Sequence, residues 1–96
     1  MNTFREATEL YRQKLHGDGR LTVDTERRIA MLEKRWGAEK LEDITPVRVQ
    51  EYVYHKYKGR SAGTVNRNIN VMVAILGYAE EMGLMKAKPR IRRRQI

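Results

Sequence analysis

The chain has 96 residues, contains no cysteine and carries a formal net charge of +8 at pH 7. This length fits a single domain with a modest core, and the lack of cysteine excludes disulfides and thiolate metal sites. No apolar run approaches membrane-spanning length, and the first residues lack the apolar stretch of a signal peptide, so we expect a cytoplasmic protein.

The positive charge is concentrated in the second half of the sequence. Residues 1–43 carry nine basic and nine acidic side chains, whereas residues 44–79 carry five basic and one acidic. Residues 86–96 add six basic side chains and no acidic one. Such a segregated field attracts polyanions, of which nucleic acid is the commonest for a soluble protein. A membrane partner is disfavoured, because the basic tail lacks the apolar face of an interfacial helix.

The first predicted helix spans residues 4–15. Thr3 and Glu6 have the spacing of a capping box, and Gly17 and Gly19 supply the turn that follows. The apolar stripe that faces the core is expected to be Phe4, Ala7, Tyr11 and Leu15.

The second predicted helix spans residues 23–36, with Thr22 as its N-cap and Gly37 at its end. Without further evidence, the basic residues expected on its outer face indicate an ordinary solvent-exposed surface. The inner face is predicted to be Thr25, Ile29, Leu32 and Trp36, and the outer face Asp24, Arg27, Arg28, Met31, Lys34 and Arg35.

The third predicted helix begins at Thr45-Pro46, where threonine is the cap and proline takes the first helical position. Leu41 and Ile44 are expected to anchor the loop before it. The predicted inner stripe is Val49, Tyr52, Val53 and Tyr57, and the predicted outer residues are Tyr54, His55 and Lys56.

The fourth predicted helix is the longest, with Ser61 as N-cap and Gly83 as the left-handed residue after its end. Two apolar lines on opposite sides indicate a helix enclosed by its neighbours. These lines are Val65, Ile69, Met72, Val73, Leu76 and Ala79 on one side and Val71, Ile75 and Tyr78 on the other. The helix start is expected to be a polar, cationic surface, with Thr64, Asn66, Arg67 and Asn68 behind Lys58 and Arg60.

Four helices with short connections predict an all-α, compact four-helix bundle in residues 1–85. Leu84 and Met85 are expected to clasp the bundle, and residues 86–96 form a basic tail. Like-charge repulsion and Pro89 predict an extended tail, which suits a solubilising linker and a phosphate-binding arm equally.

No catalytic constellation can be assembled from this sequence. It has no nucleophile elbow, phosphate-binding loop or zinc-protease motif. His16 and His55 lie too far apart to suggest a ligand pair. We therefore expect no enzyme activity from this chain alone, no cofactor and no metal site.

Four short segments follow one another along the chain. They are Leu21-Thr22-x-x-Thr25, then Gly37-x-x-x-Leu41-x-Asp43-Ile44-Thr45, then Ser61-Ala62-Gly63-Thr64-Val65-Asn66-Arg67, and finally Ala79-x-x-x-Gly83. In this order they resemble the N-terminal core-binding, SAM-like domain of tyrosine recombinases, the phage-integrase family. The likeness covers nearly the whole chain, and the family's frequent Asn-Pro after the last helix is replaced here by Lys88-Pro89.

This resemblance implies that the domain forms half of a clamp around double-stranded DNA during DNA integration or recombination. The protein would then be associated with the nucleoid when it is bound to DNA. The implied partners are a C-terminal catalytic domain of the same parent chain, which would hold the catalytic residues, and other recombinase protomers on the DNA. In the family the second and fourth helices face DNA. Arg67 is suited to a guanine edge and Asn68 to adenine, or both to phosphates. The expected DNA-binding residues are Lys58, Arg60, Ser61, Thr64, Asn66, Arg67, Asn68, Arg27, Arg28, Arg90, Arg92, Arg93 and Arg94.

Two other functions fit the sequence. A helical protein–protein adaptor with a basic tail would use Val71, Ile75 and Tyr78 as an exposed docking stripe. An RNA-binding helical module would use the same cations on structured RNA. The exposure of Tyr78 separates the adaptor from the bundle, and competition between duplex DNA and RNA separates the two nucleic acids.

Overall fold

The structure is a computed structural model that describes residues 2–56 and 58–86. Within these ranges the chain is all-helical, and its only extended pairing is an isolated bridge between Thr3 and Lys40. The elements are α1 (Phe4–Gly17), α2 (Val23–Trp36), a short 3-10 helix (Leu41–Asp43), α3 (Pro46–Lys56) and α4 (Ala62–Glu81). The predicted all-α, four-helix architecture is confirmed, and α1 extends two residues beyond the predicted Leu15.

Local capping sets the ends of these helices. Thr3 and Glu6 form the predicted capping box, and the hydroxyl groups of Thr22 and Ser61 each accept a hydrogen bond from a first-turn amide. Gly83 has a φ of 79°, a left-handed conformation that costs a glycine little. The chain therefore stops α4 where the sequence indicates, and Leu84 and Met85 turn back to pack on the core.

The core lies where α1, α2 and α4 pack against one another. Trp36 and Phe4 are its largest side chains, and both are wholly buried. α3 joins this group through Val49 and Val53 and through the edge of the Tyr52 ring, whose centroid lies 5.5 Å from that of Trp36. Tyr57, predicted to extend this inner stripe, lies outside the described residues.

The second apolar line of α4 packs inside the bundle. Ile75 is wholly buried, and Val71 is half-buried against the core. The ring of Tyr78 lies 6.1 Å from that of Tyr11 on α1. Both apolar lines of α4 therefore contact the bundle as predicted. The stripe that an adaptor would use for docking is buried at Ile75 and half-buried at Val71 and Tyr78.

Candidate nucleic-acid interface

The start of α4 has an ordered, electropositive tip. Ser61 caps the helix by accepting a hydrogen bond from the Thr64 amide, 3.2 Å away. Lys58 and Arg60 lie in the preceding turn and are exposed. That turn is possible because Gly59 takes a φ of 83°. The remaining free amides of the first turn and the helix dipole add a partial positive charge at the same place.

Arg67 is the exposed cation one turn into α4. No carboxylate neutralises it, because residues 52–79 contain no acidic residue and Arg67 has no hydrogen-bond or ion-pair partner among residues 2–56 and 58–86. Thr64, one turn earlier, is half-buried, and its hydroxyl lies 3.0 Å from that of Ser61. The predicted exposure of the α4 tip therefore holds for Arg67, Lys58 and Arg60.

Two residues of the predicted surface are buried instead. Asn68 is only 4% exposed and Asn66 only 9%. The side-chain oxygen of Asn68 accepts a hydrogen bond from Arg28 of α2 over 2.7 Å. The prediction that Asn68 lies on an open flank is therefore wrong, because α2 covers that side of α4 and Arg28 needs an acceptor there. Asn66 likewise is not an open surface group.

Arg28 and Arg27, both predicted to face outward, have different surroundings. The Arg28 side chain is only 17% exposed, and it joins Asp24 in an ion pair of 3.0 Å as well as donating to Asn68. Arg28 therefore cross-links α2 to the first half of α4 and is not a free cation. Arg27 is exposed and has no partner within the described part of the chain. The predicted tail contacts Arg90, Arg92, Arg93 and Arg94 lie outside the described residues.

Five acidic side chains form ion pairs in the first half of the chain. These pairs lie between residues 12 and 48, and their carboxylates are Asp18, Asp24, Glu26, Glu33 and Glu39. The most enclosed joins Arg12 to Glu33 by two bonds of 2.7 Å. Burial alone would raise the pKa of Glu33, but hydrogen bonds from Arg12 and Thr8 outweigh it and hold that pKa below its ordinary value. This pair therefore couples α1 to α2.

A second cationic feature is a groove of about 600 Å³ between α2 and α3. Met31, Lys34 and Arg35 form the α2 wall, and Tyr52, His55 and Lys56 belong to the α3 wall. Each set has the three- and four-residue spacing of one helix face. Sequence reasoning treated these residues separately as outer or core positions, and only the placement of the two helices brings them together.

The described residues contain no group of three His, Cys, Asp or Glu side chains able to hold a metal ion. Nor is any of their helices both long and apolar enough to cross a bilayer. Comparison of the chain with protein-family models, curated proteins and solved structures finds no match.

Proposed function

We propose that this chain is a DNA-binding module that grips duplex DNA through the α4 tip, as the core-binding domain of a tyrosine recombinase does. In this proposal the chain positions the DNA, and a catalytic domain elsewhere in the parent protein cuts and rejoins it. The observation that carries the proposal is Arg67, an exposed guanidinium near a helix N-terminus that has no carboxylate partner in the described part of the chain.

The chemistry of the α4 tip suits a phosphate backbone. Lys58, Arg60 and Arg67 are exposed cations around one helix start, and phosphate contacts supply most of the affinity of such interfaces. Arg27 of α2 adds a further exposed cation without a partner among the described residues. Arg28 and Asn68 do not contact the DNA in this proposal, and their hydrogen bond joins α2 to α4. The resemblance of the segment from Ser61 to Arg67 to tyrosine recombinases supports the same assignment.

The experiment measures binding of a fluorescently labelled duplex by anisotropy across a range of salt concentrations. The logarithm of the association constant should fall linearly with the logarithm of salt concentration. Arg67→Ala should weaken binding about tenfold and reduce the steepness of that line by about one unit, if Arg67 neutralises one phosphate.

The matched control is Arg20→Ala, which removes another exposed arginine, from the loop between α1 and α2. It should leave binding close to that of the unaltered chain. Equal losses of duplex affinity from Arg67→Ala and Arg20→Ala would show that the α4 tip is not part of the interface. Absence of duplex binding at low salt would contradict the proposed function itself. If structured RNA competes better than duplex DNA, the ligand is RNA and not DNA.

A further inference from the structure

We propose that the groove between α2 and α3 is a docking site for an acidic peptide segment of a partner protein, anchored by one apolar side chain. Its lining residues differ from those assigned to the α4 tip, and the proposal does not depend on the proposed DNA binding. Its volume of about 600 Å³ lies within the usual range of pockets that enclose a ligand group.

The rim of the groove is positively charged. Lys34 and Lys56 stand on opposite walls, are exposed and have no partner among the described residues. Because neither ammonium group is neutralised inside the molecule, both are available to carboxylates from outside. A peptide with acidic side chains on both sides of its anchor complements this arrangement.

The neighbouring arginines are held in fixed positions. The guanidinium carbon of Arg35 lies 4.3 Å from the ring centroid of Trp36, and that of Arg48 lies 5.3 Å away. Glu39 accepts two bonds of 2.9 Å from Arg48 and lies 3.9 Å from Arg35. These contacts restrict the arginine rotamers before any partner arrives, which lowers the entropic cost of binding.

The groove also has one apolar side chain on each wall. Met31 and Tyr52 line it and are half-buried against the core. Methionine adapts its shape to different apolar groups, and an aromatic ring gives a large contact area. A side chain such as phenylalanine, inserted between these two residues, would bury apolar surface that solvent now reaches.

A peptide fits these features better than a nucleic-acid backbone does. The groove combines cations with the half-buried side chains of Met31 and Tyr52. Glu51 also lines the groove. Its carboxylate can accept a hydrogen bond from a peptide N–H, a donor that a phosphodiester backbone lacks. Because Glu51 repels any anion beside it, the acidic side chains of the peptide are expected next to Lys34 and Lys56.

The test follows backbone amide resonances of the full chain by NMR during titration with a short synthetic peptide of glutamates around one phenylalanine. Shifts should centre on Met31 and Tyr52. The same peptide with alanine in place of phenylalanine should bind at least tenfold more weakly. Lys34→Glu combined with Lys56→Glu should abolish most binding, and Arg20→Glu with Lys40→Glu, which makes the same change in net charge outside the groove lining, should not.

Circular dichroism of both double variants checks that the helices are retained, as expected for exposed basic side chains that have no partner among the described residues. Three results would overturn the proposal. These are shifts centred on the α4 tip, equal affinity for the phenylalanine and alanine peptides, or a loss of duplex binding by the Lys34/Lys56 variant well beyond that of the Arg20/Lys40 variant, which has the same change in net charge. The last result would assign the groove to the nucleic-acid interface instead, while absence of duplex binding by the unaltered chain would leave the peptide result unaffected.

Discussion

Replacement of Glu33 by glutamine tests how the first two helices are held together. The Glu33 carboxylate accepts two bonds of 2.7 Å from Arg12 and a further bond from the Thr8 hydroxyl, and its side chain is only 16% exposed. Glutamine keeps the shape but turns an NH₂ group toward a guanidinium that can only donate. Arg12 is then left with Glu26 as its one carboxylate partner.

The magnitude follows from charge and burial. Two opposite charges about 4 Å apart attract by about 4 kcal/mol at an effective dielectric constant of about 20. Desolvation of the two partly buried groups offsets roughly half of this attraction. We therefore expect Glu33→Gln to lower the free energy of unfolding by about 2 kcal/mol, which corresponds to roughly 10 °C in the melting temperature of a domain of this size.

The pH dependence provides a second, independent test. Because the pKa of Glu33 in the folded state lies below its ordinary value of 4.5, folding is stabilised by this group above pH 4.5. That contribution is lost as pH falls through the lower, folded-state pKa. The difference in stability between the unaltered chain and Glu33→Gln should therefore be constant near neutral pH and shrink in acid.

Urea denaturation followed by circular dichroism from neutral pH into acid measures both effects. Glu26→Gln is the matched control, because it removes a carboxylate from the same arginine at a side chain that is 44% exposed. It should cost less than about 1 kcal/mol. The reasoning fails if the two variants are equally destabilised, or if the cost of Glu33→Gln persists unchanged below the folded-state pKa.

Two further substitutions test the end of α4 and its attachment to α2. Gly83→Ala should destabilise the chain by about 1 kcal/mol in urea denaturation, because its φ of 79° disfavours a side chain. The control is Gly17→Ala, whose Cβ would meet no atom within 4 Å and which should be neutral or stabilising. Equal losses of stability from the two variants would refute the conformational argument. Asn68→Ala removes the acceptor of Arg28 and should cost about 1 to 2 kcal/mol. Asn68→Asp keeps an acceptor and should recover most of that stability, so an equally unstable aspartate variant would contradict the role of the cross-link.

Helix boundaries were predictable because their signals are local. The capping box of Thr3 and Glu6, the hydroxyl cap of Ser61 and the glycine after α4 each act within a few residues of the position they define. The fold class followed from these ends and from apolar spacing. The exposure of Arg67 was predictable for the same reason, because it lies opposite the buried Ile69 on one regular helix.

Sequence by itself thus determined the four helices, most of their buried faces and the location of the excess positive charge. Tertiary structure alone decided which polar side chains meet across helices. Asn68 is buried because Arg28, forty residues earlier, lies against it, and Met31 and Tyr52 line the same groove because α3 lies beside α2. Periodicity assigns a residue to a face of its own helix, but it does not say which neighbour covers that face, since this depends on how the whole bundle packs.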